Sequence, residues 1–494
     1  MGDWLLAVHS GAGQYGSSNE AAYLSLLQSA LRSTHERITN SRCPPSAAQM
    51  AVYLLHSFEH SRFTNAGLGA NLTENGHVEC EASVVCGRTG FVACCGAVRG
   101  VKEPSALALK LLEQAERAGD HNLSGQFVFG RQPPLVVVGE HTRRLARDFG
   151  LETACDDAEE LRMYQVTPKS RAHWNKWHQR FLEADTSKKS DTKEEEKDDG
   201  EHLDTVGSVC MDSKGNVAAA LSSGGVLYKV PGRLGLAGCP RMGCDAANAD
   251  MVWKKTRKRK RRERTNVRNA FAVACTGRGE HFFQSNFVSS LSRRLSKSAN
   301  LDRALRMTFT DASNSDGRVG IEGGVLALVS LPREREDDVT ARRVHLGAAF
   351  TTRCMGVGYL QCRANTEPEV RVQLLRRPET QKSAAGSVHL EVAVHVSSFD
   401  LVQHHPDTHH VETIAMEIDA DGHSSALFSA VLRSEVQCEH IGPDALFPPL
   451  VEFMKENLAS YRVPRKCFFV DEIPKNAMGK VNKKALSTIY LEKS

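Results

Sequence analysis

The sequence predicts an α/β protein assembled from two halves, and three observations carry that expectation. An apolar run at residues 4 to 9 ends in the glycine-rich His9-Ser-Gly-Ala-Gly13. Helical spacing of apolar residues over Asn19 to His60 then gives way to short β-branched, cysteine and glycine runs over Val78 to Val101. Beyond a charged segment, a second strand-turn-strand pattern opens at Val206.

Taken in order, residues 4 to 9 read as a buried strand entering a tight glycine turn. Leu24, Leu27 and Leu31, then Ala51, Leu54, Leu55 and Phe58, recur at helical spacing. Pro44-Pro45 cuts that stretch into two helices that can pack on a sheet. Val78 to Val101 suits paired strands, and Pro104 opens a helix toward Ala118. Leu135-Val-Val-Val138 reads as another buried strand. Val206 to Met211, a turn at Asp212-Ser-Lys-Gly-Asn216 and Val217 to Leu221 form a hairpin, and strands follow at Gly323 to Leu331 and His345 to Leu360.

The 494 residues are 41% hydrophobic and 25% charged, the balance of a globular protein rather than a disordered tail or a fibre. A net charge of +4 leaves any polyanion-binding or nuclear signal to a local cluster. No apolar run approaches a membrane span, and Asp3 stands where a signal peptide carries basic residues, so a cytosolic or nuclear protein is expected. The 14 cysteines include no CxxC pair, which points to a reducing compartment rather than a disulfide framework or zinc ribbon.

Asp185 to His202 contains no aliphatic residue and no Phe, Tyr or Trp, and its mixed charges give a solvated, flexible linker, 185–204. It delivers Asp204-Thr205-Val-Gly into the second half, which is what a self-cleaving N-terminal nucleophile needs. Cleavage of the 204–205 bond frees an α-amine with a reference pKa of about 7.7 to 8 beside the threonine's own hydroxyl, a built-in general base. Taken alone, the tetrapeptide is only a strand start with a β-favouring threonine. Its surroundings shift the balance. Ser222-Ser223-Gly-Gly follows at one hairpin's distance, Arg233 offers a fork for a carboxylate, and Thr276-Gly277 offers hydroxyl and backbone donors for an oxyanion.

In this order the motifs resemble the N-terminal-nucleophile asparaginase family. The match includes His9-Ser-Gly-Ala-Gly13, Phe63-Thr-Asn-Ala-Gly-Leu-Gly-Ala-Asn71, Gly76-His-Val-Glu-Cys-Glu-Ala-Ser83 and Gly96-Ala-Val-Arg-Gly-Val-Lys-Glu-Pro104. It continues through Gly215-Asn-Val-Ala-Ala-Ala220, Ser222 to Arg233 and Gly323-Gly-Val, and covers about residues 1 to 365. The resemblance implies a four-layer αββα N-terminal-nucleophile hydrolase sandwich, cut into α and β chains that assemble as a dimer of heterodimers. It implies Thr205 as nucleophile and base, Ser223 as a supporting hydroxyl, Arg233 as binder of the substrate carboxylate and Thr276 with Gly277 as the oxyanion hole. No cofactor and no metal enter this chemistry.

Within the family the details are similar to the threonine aspartase (taspase) branch. Asp204 precedes the nucleophile, so the autocleavage site itself presents an aspartate. In amino-acid-cleaving relatives an aspartate after the Gly-Arg-Val-Gly motif binds the substrate's free ammonium; here that position is Leu236. Glu81 also departs from the pattern, standing where relatives have Asp before Ala-Ser.

Lys254 to Arg264 carries nine basic residues and one acidic in eleven, interrupts the second half after Gly243-Cys244 and must loop out. It reads as a nuclear localisation signal ahead of a nucleic-acid patch, so nucleus and cytoplasm are the expected locations. That agrees with the resemblance, whose members act on nuclear regulators. The histidines between His404 and His410 are weak metal candidates, because Pro406 breaks the helix that would align them. Residues 378–441 carry no legible signal. Pro464 to Lys484 resembles the C-terminal subdomain of acyl-CoA synthetases, with Lys480 at the lysine that contacts the acyl-adenylate; residues 442–494 make a small α+β fragment without the rest of that enzyme.

These readings divide the chain into an α-chain half, 1–184, the linker, and a β-chain half, 205–377. The expected activity is autocleavage between Asp204 and Thr205, then hydrolysis after aspartate in protein substrates. Rivals are an L-asparaginase or isoaspartyl peptidase, and a catalytically silent nuclear binding protein.

Overall fold

The computed structural model describes residues 3–16, 18–119, 132–186, 205–249, 251–252, 266–314, 320–331, 340–363, 366–377, 392–403, 412–418, 424–431 and 466–470. Asp204, the basic run 254–264, the histidines 404–410 and Lys480 lie outside them.

The first half runs β1 (Trp4–Gly13), α1 (Glu20–Thr39), α2 (Ala47–Glu59), β2 (Cys80–Cys86), β3 (Val92–Val98) and α3 (Pro104–Gly119). It ends with β4 (Val136–Val138), α4 (His141–Asp148), α5 (Ala158–Met163) and α6 (Pro168–Thr186). The second half opens with β5 (Val206–Met211), β6 (Val217–Ser223), a 3₁₀ turn (Leu236–Gly238), β7 (Cys244–Ala247), β8 (Met251–Val252), β9 (Asn266–Val267) and β10 (Ala270–Gly277). It continues through α7 (Gly279–Gln284), α8 (Phe287–Leu295), α9 (Leu301–Asn314), β11 (Gly323–Ser330), β12 (Thr340–Phe350), β13 (Cys354–Cys362), β14 (Glu369–Arg376) and β15 (Ala393–Gln403).

Local chemistry explains the helix ends. Ser46 and Gln49 form a reciprocal capping box that starts α2 right after the two prolines. Pro104 opens α3, where its missing N–H costs nothing. The Asp212 turn is held by its own carboxylate, which accepts from the Lys214 and Asn216 amides at 3.0 and 2.8 Å.

Eight strands form one sheet in the order β14-β13-β1-β5-β6-β2-β3-β4, and five form another in the order β15-β12-β11-β10-β7. All neighbours are antiparallel except β3 and β4. Strand alternation divides the apolar residues between two cores. Leu5 and Ala7 of β1, Val209 and Met211 of β5, and Leu221 of β6 join the five-stranded sheet, α8 and α9 in one core. Trp4, Leu6 and Val8, Val206 and Cys210, and Ala218 and Ala220 join α1, α2 and α3 in the other. The chain is therefore a mixed α/β protein, with β5 and β6 buried at the centre of the larger sheet.

Two local expectations are corrected. The β4 segment is not a buried strand: it ends the sheet order, and Val136 and Val138 are 42% and 53% exposed. An apolar triplet does not distinguish a central from an edge strand. The first strand does not stop at the glycine turn but runs on to Gly13, past an irregularity between His9 and Ala12, and Gly11 takes a positive φ of 108° there.

Residues 393–403, from the stretch with no legible signal, supply β15 to the edge of the five-stranded sheet against β12. Met251–Val252 pairs with Asn266–Val267, so the chain leaves and re-enters the fold at one place around the basic run. A separate unit, 405–494, contains β16 (Glu412–Ile418), β17 (Ser424–Val431) and β18 (Lys466–Val470) in an antiparallel sheet with β16 central.

Candidate active site

Thr205 is buried and stands immediately before β5. Val206 faces the helix-side core and Val209 the core shared with the second sheet, so alternation puts Thr205 on the inter-sheet side. Val206 pairs with Ser222, so one step further Thr205 lies across from Ser223. Ser223 in turn pairs with Glu81 of β2. A threonine, a serine and a carboxyl thus form a row across three adjacent strands. Two residues further along β5, His9 of β1 pairs with Gly207.

The turn after β6 is built to hold Ser223. The Ser223 hydroxyl oxygen accepts from the Gly225 amide at 2.9 Å, leaving its own proton free to donate elsewhere. The side-chain amides of Asn65 and Asn71 both donate to the Gly225 carbonyl, at 2.8 and 2.9 Å, while the Gly224 amide donates to the Asn65 carbonyl. A Cβ on Gly224 would lie 2.4 Å from the Asn65 side-chain oxygen, so the first glycine of Ser-Ser-Gly-Gly is a packing requirement. The sequence singles out residues 63 to 71 only as a motif; their work is to clamp this turn.

Arg233 reaches the same place but is already engaged. Its Nε and Nη2 donate to the Glu280 carboxylate at 2.7 to 3.0 Å, leaving Nη1 near Gly225 and Gly235. Burial opposes ionisation of Glu280, yet the Arg233 hydrogen bond, its own amide and the Arg233 charge hold the carboxyl below its ordinary range. Glu81 accepts from the Gly235 amide at 2.6 Å; burial raises its pKa, against the pull of Lys229, the Gly235 amide and Arg233. Lys229 is buried too, its Nζ donating to the Glu79 carbonyl at 2.6 Å, and burial lowers its pKa while Glu81 raises it. Two cations and two carboxyls therefore surround the turn that carries Ser223. Glu280, Lys229, Asn65 and Asn71 are the members sequence reasoning gave no role, since no local spacing shows which distant strand each meets.

Thr276 is fully buried at the end of β10, and its hydroxyl oxygen accepts from the Ala12 amide at 3.3 Å. That contact brings the glycine-rich end of β1 to the proposed oxyanion residues. Gly277 has φ 132°, and a Cβ there would come 2.4 Å from the Glu322 carbonyl, so no other residue fits. Leu236 is 2% exposed and belongs to the inter-sheet core. His9 is fully buried with neither ring nitrogen partnered among the described residues; burial lowers its pKa to about 3, opposed by the Ala274 backbone beside it. Among the described residues no group of three His, Cys, Asp or Glu is gathered as a metal site.

A threonine opening a buried central strand, with a hydroxyl across from it and a glycine-bounded donor turn on the facing sheet, is the arrangement of an N-terminal-nucleophile hydrolase. Residues 2–251 match the family model described as Asparaginase, and the chain belongs to that family. It is 30% identical over 250 residues to a plant-type L-asparaginase of Pyrobaculum calidifontis, covering 49% of this chain and 70% of that one. It is 27% identical to an isoaspartyl peptidase of Salmonella typhimurium over 58% of this chain and 76% of the other. An isoaspartyl peptidase/L-asparaginase of Xenopus laevis is 25% identical over 66% of this chain and 86% of its own length.

Proposed function

We propose that the protein is a threonine endopeptidase that cuts itself between Asp204 and Thr205 and then hydrolyses peptide bonds after aspartate in other proteins. The observation that carries this reading is Leu236, buried at 2% exposure in the inter-sheet core. Its apolar side chain offers no anion to a substrate ammonium, and the neighbouring Glu81 carboxyl already accepts from the Gly235 amide, whereas a peptide, which has no such ammonium, loses nothing. In the proposed reaction the Thr205 oxygen attacks the Asp204 carbonyl, the acyl group shifts to an ester, and water releases it. The freed α-amine then takes the proton from the same oxygen as it attacks an aspartyl bond of a substrate. Ser223 steadies the oxygen, Thr276 and Gly277 receive the oxyanion, and Nη1 of Arg233 meets the aspartate carboxylate.

The same proposal includes a four-layer αββα stack, α and β chains assembling as a dimer of heterodimers, and import into the nucleus through residues 254–264. Its substrates are nuclear regulators with exposed aspartates. Intact-mass measurement tests its first step: two fragments meeting at 204/205 are expected, and a single uncut chain would overturn it. The names of the relatives favour a second reading, hydrolysis of asparagine or isoaspartyl dipeptides. Turnover of free asparagine in preference to aspartyl peptides would select it.

A further inference from the structure

We propose that Glu59 is a positioning residue: through Ser222 it fixes the end of β6 that holds Ser223 beside Thr205. The inference rests on reading Thr205 as the nucleophile. Glu59 ends α2 and is fully buried. Its Oε1 accepts from the Ser222 hydroxyl at 2.6 Å and from the Ser105 amide at 2.9 Å, and its Oε2 accepts from the Ser105 hydroxyl at 2.7 Å. One carboxyl thereby ties the end of α2 and the start of α3 to β6. Its backbone is held as well. The Leu68 amide donates to the Glu59 carbonyl at 2.8 Å, and a Cβ on Gly67 would stand 2.4 Å from that oxygen.

Ser222 pairs with Val206 on one side and Ala82 on the other. Val206 directly follows Thr205, and Ser222 directly precedes Ser223. A displaced Ser222 therefore moves both reacting neighbours, and misplacement of about 1 Å can cost on the order of a hundredfold in rate.

A carboxyl this deep needs donors, and three meet it. Burial nonetheless raises it to about 7, with Glu103 adding to the rise and the Ser222 and Ser105 bonds opposing it. The other titratable groups facing it are Cys80 on β2 and Cys95 on β3, thiols that burial keeps protonated. His56 of α2 and His60, which caps its end, turn to Glu103 instead. The carboxylate accepts all three bonds, whereas the protonated acid must reverse one serine hydroxyl to place its own proton. Before cleavage Thr205 has no free amine, and His9 titrates far below neutrality. Glu81 and Lys229 also face this turn, with burial raising the first and lowering the second, so the inflection near 7 expected of Glu59 is the part of the profile that Glu59→Gln removes.

The test is the rate of splitting at 204/205 in full-length chains made by pulsed cell-free translation, followed on both sides of neutrality. Wild type is expected to speed up through an inflection near 7. Glu59→Gln and Ser222→Ala should each be about tenfold slower or more and lose that inflection. The double variant should be no slower than Ser222→Ala alone, because the two act through one bond. Effects that add in the double variant, or a wild-type rate and profile in Glu59→Gln, overturn the proposal. Where Glu59→Gln does not fold, Ser222→Ala decides: an unchanged inflection overturns it. Splitting in Thr205→Ala would instead overturn the nucleophile itself, a separate failure.

Discussion

Arg233 gives the Nε and Nη2 edge of its guanidinium to Glu280 and leaves Nη1 beside Gly225 and Gly235. The bonded edge lies at 2.7 to 3.0 Å from the carboxylate. Arg233 is mostly buried and Glu280 half exposed. The pair therefore sets the direction of the remaining donors more than it stabilises the fold. A planar fork fixed in this way presents one nitrogen to an incoming carboxylate at a defined reach.

Arg233→Ala is expected to leave self-cleavage in place and to lower kcat/KM on aspartyl peptides by the factor that corresponds to roughly 2 to 5 kcal/mol, the cost of removing a buried partner charge. Glu280→Ala should raise KM about tenfold with little change in kcat, because the arginine remains but is no longer aimed. Steady-state kinetics on an aspartyl peptide decides the matter. A lower KM in Glu280→Ala would mean that Glu280 competes for the fork instead of aiming it.

Much of this was legible in the sequence, and the rest was not for identifiable reasons. The Val206–Met211 and Val217–Ser223 strands and the α1–α2 break at Pro44-Pro45 follow from periodicity and turn chemistry, which are local. The bond from Asn65 to Gly225 and that from Glu59 to Ser222 span sequence separations of 160 and 163 residues, and no local pattern encodes them. The edge position of β4 depends on what packs against it, which three valines cannot reveal. Residues 393–403 lacked legible periodicity because an edge strand needs to satisfy only part of its surface.

Leu236→Asp is expected to destabilise the protein rather than to create an asparaginase. The new carboxyl would stand in a core with Phe282 and Leu221, at a site 2% exposed, where an unpaired charge costs several kcal/mol, roughly 3 or more. Thermal melts of the two proteins measure this. A variant as stable as wild type that turns over free asparagine would show that the core tolerates a carboxylate at position 236 and that it meets the substrate ammonium there.

Glu59 and His9 tilt stability in opposite directions with pH. Glu59 rises from 4.5 to about 7 on folding, so between those values the native state keeps a proton that the unfolded chain has lost, and stability falls as pH rises. His9 drops from 6.5 to about 3, so the unfolded chain binds the extra proton and stability falls as pH falls through that window. Between 4.5 and 6.5 the two slopes oppose and nearly cancel, so wild type declines only from about 6.5 to 7; denaturation midpoints of Glu59→Gln should lose that decline and instead show stability rising with pH from about 3 to 6.5, the contribution of His9. A decline toward neutrality that persists in Glu59→Gln would assign it to another group.

Both proposed steps, self-cleavage and cleavage of other chains, use one oxygen, that of Thr205. The residue is 5% exposed, opens β5 and lies across from Ser223 by the β5–β6 register, so its hydroxyl cannot be replaced by a neighbour without moving a central strand. Thr205→Ala should give an uncut chain with no activity on aspartyl peptides. Thr205→Ser keeps the oxygen but loses the methyl group that restricts the side chain's rotation, and should retain partial cutting at a reduced rate. Intact mass reports self-cleavage, and peptide assays report cleavage of other chains. Peptides with Asn or Glu in place of Asp should be poor, because Nη1 of Arg233 is aimed at one charge at one reach. If Thr205→Ala splits between residues 204 and 205, or if an uncut Thr205→Ala chain hydrolyses aspartyl peptides, the nucleophile is another residue.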